Sequence, residues 1–136
     1  MEPRRSMIEC EIWIDVECKT DDAQSEVACT VFARHSFPTR PLIGERLSFH
    51  PAKGSKHSFN VAMSWGPMSV NHASVEVHEV SHYRGPLVET EAFKTSLRYS
   101  PIIVHSIDDA KSLAAYLSSE HGFEIDPYGV NKLHEG

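Results

Sequence analysis

From Ile8 to Cys18 the chain alternates without a break. Ile8, Cys10, Ile12, Ile14, Val16 and Cys18 occupy one parity, and Glu9, Glu11, Trp13, Asp15 and Glu17 the other. Successive side chains of a strand point to opposite faces, so this stretch reads as an amphipathic strand with one apolar and one acidic face. At about 3.3 Å per residue it spans roughly 35 Å, a length at which a strand has to coil or bend. The expected frame is therefore a curved sheet built around this strand.

The 136 residues suit one domain, 1–136, large enough to bury a core without a disulfide or metal staple. A composition of 40% hydrophobic and 24% charged residues is that of a globular rather than a disordered chain. There is no apolar run of about 18 residues and no basic-then-apolar leader, so the expectation is a cytoplasmic protein without a membrane span or signal peptide. Cys10, Cys18 and Cys29 each fall on an apolar strand position, which favours buried structural thiols in a reducing compartment over a disulfide framework. The formal net charge of −6 repels a phosphate backbone and argues against nucleic acid as a partner. Nine histidines make that charge sensitive to mild acid.

Residues 1–6 carry no periodic apolar positions and read as a loose lead-in. After a polar connection (KTDDAQS, residues 19–25), alternation resumes with Val27, Cys29, Val31, Ala33 and Phe37 opposed by Ala28, Thr30, Phe32, Arg34 and Ser36. So short a link suits an antiparallel hairpin. Leu47 and Phe49 mark a short strand, and Phe59, Val61, Met63 and Trp65 another, which Gly66-Pro67 is expected to stop. The strand from Val75 switches its inward parity at Val80, and an extra residue near His78 and Glu79, a β-bulge, would account for the slip. Arg84-Gly85-Pro86 is expected to end it. A last strand region runs from Glu89 to Val104, with Pro101 as an interruption or an edge position and Ile102, Ile103 and Val104 inward. One helix is expected from Ile107 to His121, with Ser106 and Asp109 as a capping box, Gly122 as its C-terminal cap, and Ala110, Leu113, Ala114 and Leu117 on one face. Asp126-Pro127-Tyr128-Gly129 marks a turn within a partly loose tail, residues 124–136. The fold class is thus α+β: about 5–7 strands of mainly antiparallel, curved sheet or small barrel, with one C-terminal helix packed on it.

Trp13 is the informative oddity, a large aromatic on an acidic face, with Phe32 at the matching parity of the next strand. Either the helix covers this patch, or it is a contact surface for a partner or a second copy, rimmed by Glu11, Asp15, Glu17 and Arg34. The loop from His50 to Ser58 gathers His50, Lys53, Lys56 and His57 and offers an anion site through backbone amides and cationic side chains, without the spacing of a phosphate-binding P-loop. His78 and His82 are four residues apart, but on a strand that separation is roughly 13 Å, too far for one ion. No metal or cofactor is expected. No G-x-S-x-G elbow is present, and Asp21-Asp22 and Asp108-Asp109 read as a loop pair and a helix start. The sequence therefore points to a small acidic cytoplasmic protein-interaction or binding module without catalytic activity, homodimeric or hetero-associating, with a toxin-immunity protein as a narrower form. The alternatives are a small-molecule or anion-binding barrel protein, and an enzyme whose site no motif marks.

Overall fold

The computed structural model describes residues 7–19, 24–83 and 94–134. The expected lead-in at 1–6, most of the first loop, the stop at Arg84-Gly85-Pro86 and the start of the last strand region at Glu89 lie outside them. The leading alternation is β1 (Ile8–Lys19), paired antiparallel with β2 (Ser25–Phe37) as the short link implies. Then follow β3 (Arg46–Phe49), β4 (Phe59–Met63), β5 (Gly66–Val70), β6 (Ala73–Tyr83), β7 (Lys94–Tyr99), β8 (Ile102–Val104), α1 (Ile107–His121) and β9 (Glu124–Ile125).

β1 is the centre of the sheet. One edge takes β2, which carries β9 in turn; the other takes β7 and then β8, both parallel to β1. β7 and β8 form one line of strand interrupted at Pro101, which has no N–H for the ladder. Beyond that line the sheet forks, with β6 and β3 alongside β7, and β4 and β5 alongside β8.

The class is α+β with one helix and a mainly antiparallel sheet, as expected, made mixed by the two parallel pairs β1–β7 and β1–β8. The sheet among the described residues has nine strands rather than five to seven, and it is open, which removes the small barrel as the alternative to an open sheet. Gly66-Pro67 starts β5 instead of ending the preceding strand, because Ser64-Trp65 makes a two-residue turn that closes on the Met63–Gly66 pair. Pro67 is tolerated there. The closing pair of such a hairpin exchanges hydrogen bonds, so the next pair, Ala62–Pro67, does not, and the missing N–H faces outward from the edge. Ile103, expected inward, is 39% exposed, since Ile102 and Val104 take the inward parity of a three-residue strand. The bulge expected in β6 is present, with the register slipping between Val77 and Glu79. A second slip, between Val16 and Glu17, lies in the β1–β2 pair.

The helix has the expected bounds. Ser106 Oγ accepts the Asp109 N–H at 3.2 Å, and Gly122 closes the other end in the left-handed region at φ 73°. The Asp109 carboxylate also accepts the backbone and side-chain N–H groups of Asn60 at 2.9 and 3.0 Å, which ties the helix start to β4. Leu113, Tyr116 and Leu117 are fully buried against Ile12, Ile14, Val16, Val31 and Leu97. Each such side chain contributes on the order of 1.5–3 kcal/mol through apolar burial. Residues 124–133, read as part of a loose tail, run along β2: Asp126 N–H donates to Thr30 O at 2.8 Å, Lys132 N–H to Ala28 O at 2.7 Å, and Leu133 is buried.

Candidate functional site

Because α1 packs on the even-numbered face of β1, the odd-numbered face lies on the opposite side of the sheet. There Glu11, Trp13, Asp15 and Glu17 are half-buried. Register decides their neighbours: Trp13 stands between Phe32 of β2 and Arg98 of β7, and Glu11 between Arg34 and Ser96. The Trp13 and Phe32 rings stack with centroids 4.9 Å apart and planes 23° from parallel, an arrangement favoured by the ring quadrupoles beyond its apolar area. The indole N–H of Trp13 donates to Glu11 Oε1 at 2.7 Å. Asp15 accepts from Thr30 Oγ1 at 2.7 Å and meets the Arg98 guanidinium at 3.3 Å, while Arg34 lies 3.8 Å from Glu9.

These residues border a shallow depression of about 280 Å³, lined by Glu11, Trp13, Glu79, Ser81, Ser96 and Arg98. All five residues expected as a contact patch, Trp13, Phe32, Glu11, Asp15 and Arg34, stand on this face. Sequence reasoning missed Arg98, Ser96, Ser81 and Glu79. Their parity was readable, but not the parallel pairing that sets β7 beside β1, nor the way the β6 bulge brings Glu79 opposite Arg98.

The His50–Ser58 loop lies on the other side of the molecule, against the end of α1. Its donors converge on the chain's own carboxylate: Ala52 N–H and Ser55 Oγ–H each donate to Glu120 at 2.6 Å, and His57 Nε2 is 3.6 Å from it. These hydrogen bonds, Ala52 first and Ser55 next, hold the Glu120 carboxyl below its ordinary range. Lys53 and Lys56 are exposed, and His50 stacks on His72 at 6.0 Å. His57 Nε2 also lies 3.3 Å from Ser119 Oγ. Serine and glutamate thus approach the same ring nitrogen, whereas a catalytic triad places its acid on the opposite nitrogen from the nucleophile.

His121 completes this corner. Its Nε2 is 3.1 Å from the Tyr116 hydroxyl, its ring meets Phe49 edge-on at 5.0 Å, and its carbonyl accepts from His35 Nε2 at 3.1 Å. Burial pushes its imidazole below the usual histidine range. On β6, His78 pairs with Glu76 at 3.7 Å and His82 contacts Thr95 and Arg40, so the two histidines have separate partners. Among the described residues no three histidine, cysteine, aspartate or glutamate side chains converge as a metal-ligand set. The cysteines are free and buried, and burial pushes the Cys29 thiol up to about 11, away from the reactive thiolate.

No helix among the described residues is long and apolar enough to cross a membrane. No protein-family model, curated protein or solved structure matches the chain.

Proposed function

We propose that the chain is a small protein-interaction module without catalytic activity, which presents the odd-numbered face of its sheet to a partner protein or to a second copy. The observation that carries this reading is the stacked Trp13–Phe32 pair, set on the face away from the helix and rimmed by Glu11, Asp15, Arg34 and Arg98. Aromatic groups ringed by charged ones are the usual anatomy of an energetic centre with a polar rim. An immunity-type protein that neutralises an enzyme is the narrower form of the same proposal, and its acidic net charge of −6 suits a basic target. The anion-binding reading draws less support, because two donors of the His50–Ser58 loop are already engaged by Glu120.

The test is association of the full chain, by capture of a partner and by sedimentation over a concentration series, repeated with Trp13→Ala and Phe32→Ala. The proposal expects the complex or dimer to be lost in both variants while each still melts cooperatively. Association that survives both changes overturns it.

A further inference from the structure

We propose that the depression beside Trp13 receives a basic side chain of the partner, a lysine ammonium or an arginine guanidinium, as the anchor of the interface. This rests on the reading of the sheet face given above and adds the chemistry of what the face takes.

The geometry supplies a wall and two poles. Phe32 stacks on Trp13 from the β2 side, whereas the depression is lined by β1, β6 and β7 alone, so the indole borders it from the side away from Phe32. The negative face of an aromatic ring attracts a cation, tryptophan most strongly. Glu11 and Glu79 bring carboxylates to the same space, and Ser81 and Ser96 bring hydroxyl oxygens that accept from an ammonium or guanidinium. Glu11 is also fixed in place, because its Oε1 holds the indole N–H at 2.7 Å.

Arg98 is the one cation among the lining residues, and it is drawn toward Asp15 at 3.3 Å. Around the depression, Glu9, Glu11, Asp15, Glu17 and Glu79 stand against Arg34 and Arg98, each of which already has a carboxylate neighbour, with Lys19 at the far end of β1. A further cation is therefore favoured there and a further anion repelled. The volume of about 280 Å³ has room for a basic side chain with its stem, and is too small for a folded segment.

The test uses the full chain carrying Trp65→Phe, which leaves Trp13 as its single tryptophan. Acetylated trilysine and triarginine amides are titrated at low salt while Trp13 emission is followed, with an acetylated triglutamate amide as the opposite-charge probe. The expected result is a saturable change with both basic peptides, weakened at least tenfold by Glu11→Gln with Glu79→Gln, and none with the acidic peptide. Glutamine keeps an acceptor for the indole N–H, so the change removes charge and leaves the stack supported. Three results overturn the proposal: no response to the basic peptides, a response to the acidic one, or an unchanged response in the doubly substituted chain, which would assign it to net charge alone. Failure here is separable from failure of the interaction reading. A captured partner that is lost on Trp13→Ala but kept by Glu11→Gln with Glu79→Gln leaves the face as the interface and removes the basic anchor.

Discussion

Trp13 and Ile14 are neighbours in β1 and meet different surroundings. Ile14 points into the layer shared with α1 and is fully buried, facing Val31 across the β1–β2 pair. Trp13 points the other way, stacks on Phe32, and is surrounded by carboxylates, hydroxyls and two guanidiniums. One face of the strand spends its side chains on cohesion. The other places a larger aromatic on a surface from which the helix is absent, and apolar groups rimmed by polar ones on an open surface are the kind of patch that interaction sites use. Under the proposed function, the two faces divide stability from recognition.

The sharpest way to break that division is to remove a buried contact on the helix side. Leu113→Ala should cost about 2–5 kcal/mol in denaturant unfolding, the range for an aliphatic side chain lost from a packed core; a loss under 1 kcal/mol would show that the helix contributes little to the core. Asp109→Ala comes next. It strands the Asn60 donors and removes the carboxylate that accepts the Ser106 hydroxyl, while the cap bond to the backbone N–H stays, and about 1–3 kcal/mol is expected.

Acid should act on the helix side first. His121 is held below its ordinary value of 6.5 by burial, and Glu120 below 4.5 by the Ala52 and Ser55 hydrogen bonds. In both cases the unfolded chain binds the proton more readily, so the stabilisation is complete above the ordinary value and is lost as pH falls through the folded one. Amide exchange, corrected for its intrinsic pH dependence, should therefore show the His50–Ser58 loop opening as pH drops below about 6.5 and further below about 4.5, ahead of β1 and β2. Uniform loss of protection across the sheet would contradict this. The smallest effect belongs to the open face: a double-mutant cycle on Asp15 and Arg98 should give a coupling below about 1 kcal/mol, since Arg98 is half-exposed and screened by solvent.

Much of this division is legible in the chain itself. The alternation of Ile8–Cys18, the parity switch at Val80 and the Ser106–Asp109 and Gly122 caps are local signals, and local hydrogen-bond geometry answers them directly. The parallel pairing of β1 with β7 and β8 is not local. It depends on where the segment after β6 returns, and no residue of Lys94–Val104 encodes the neighbour it will meet. Arg98 and Glu79 were therefore invisible as members of the site, although Trp13 and Phe32, joined by a hairpin, were not. Glu120 was missed for the same reason, since sixty-five residues of sequence separate it from Ser55.

The most direct test of the division is equilibrium unfolding of Trp13→Gln beside Ile14→Gln. A glutamine amide at position 13 reaches water, whereas at position 14 it is enclosed against the helix layer without a partner. The account predicts that Trp13→Gln unfolds cooperatively and close to the original chain, while Ile14→Gln loses several kcal/mol or fails to fold. Comparable losses at the two positions would contradict it.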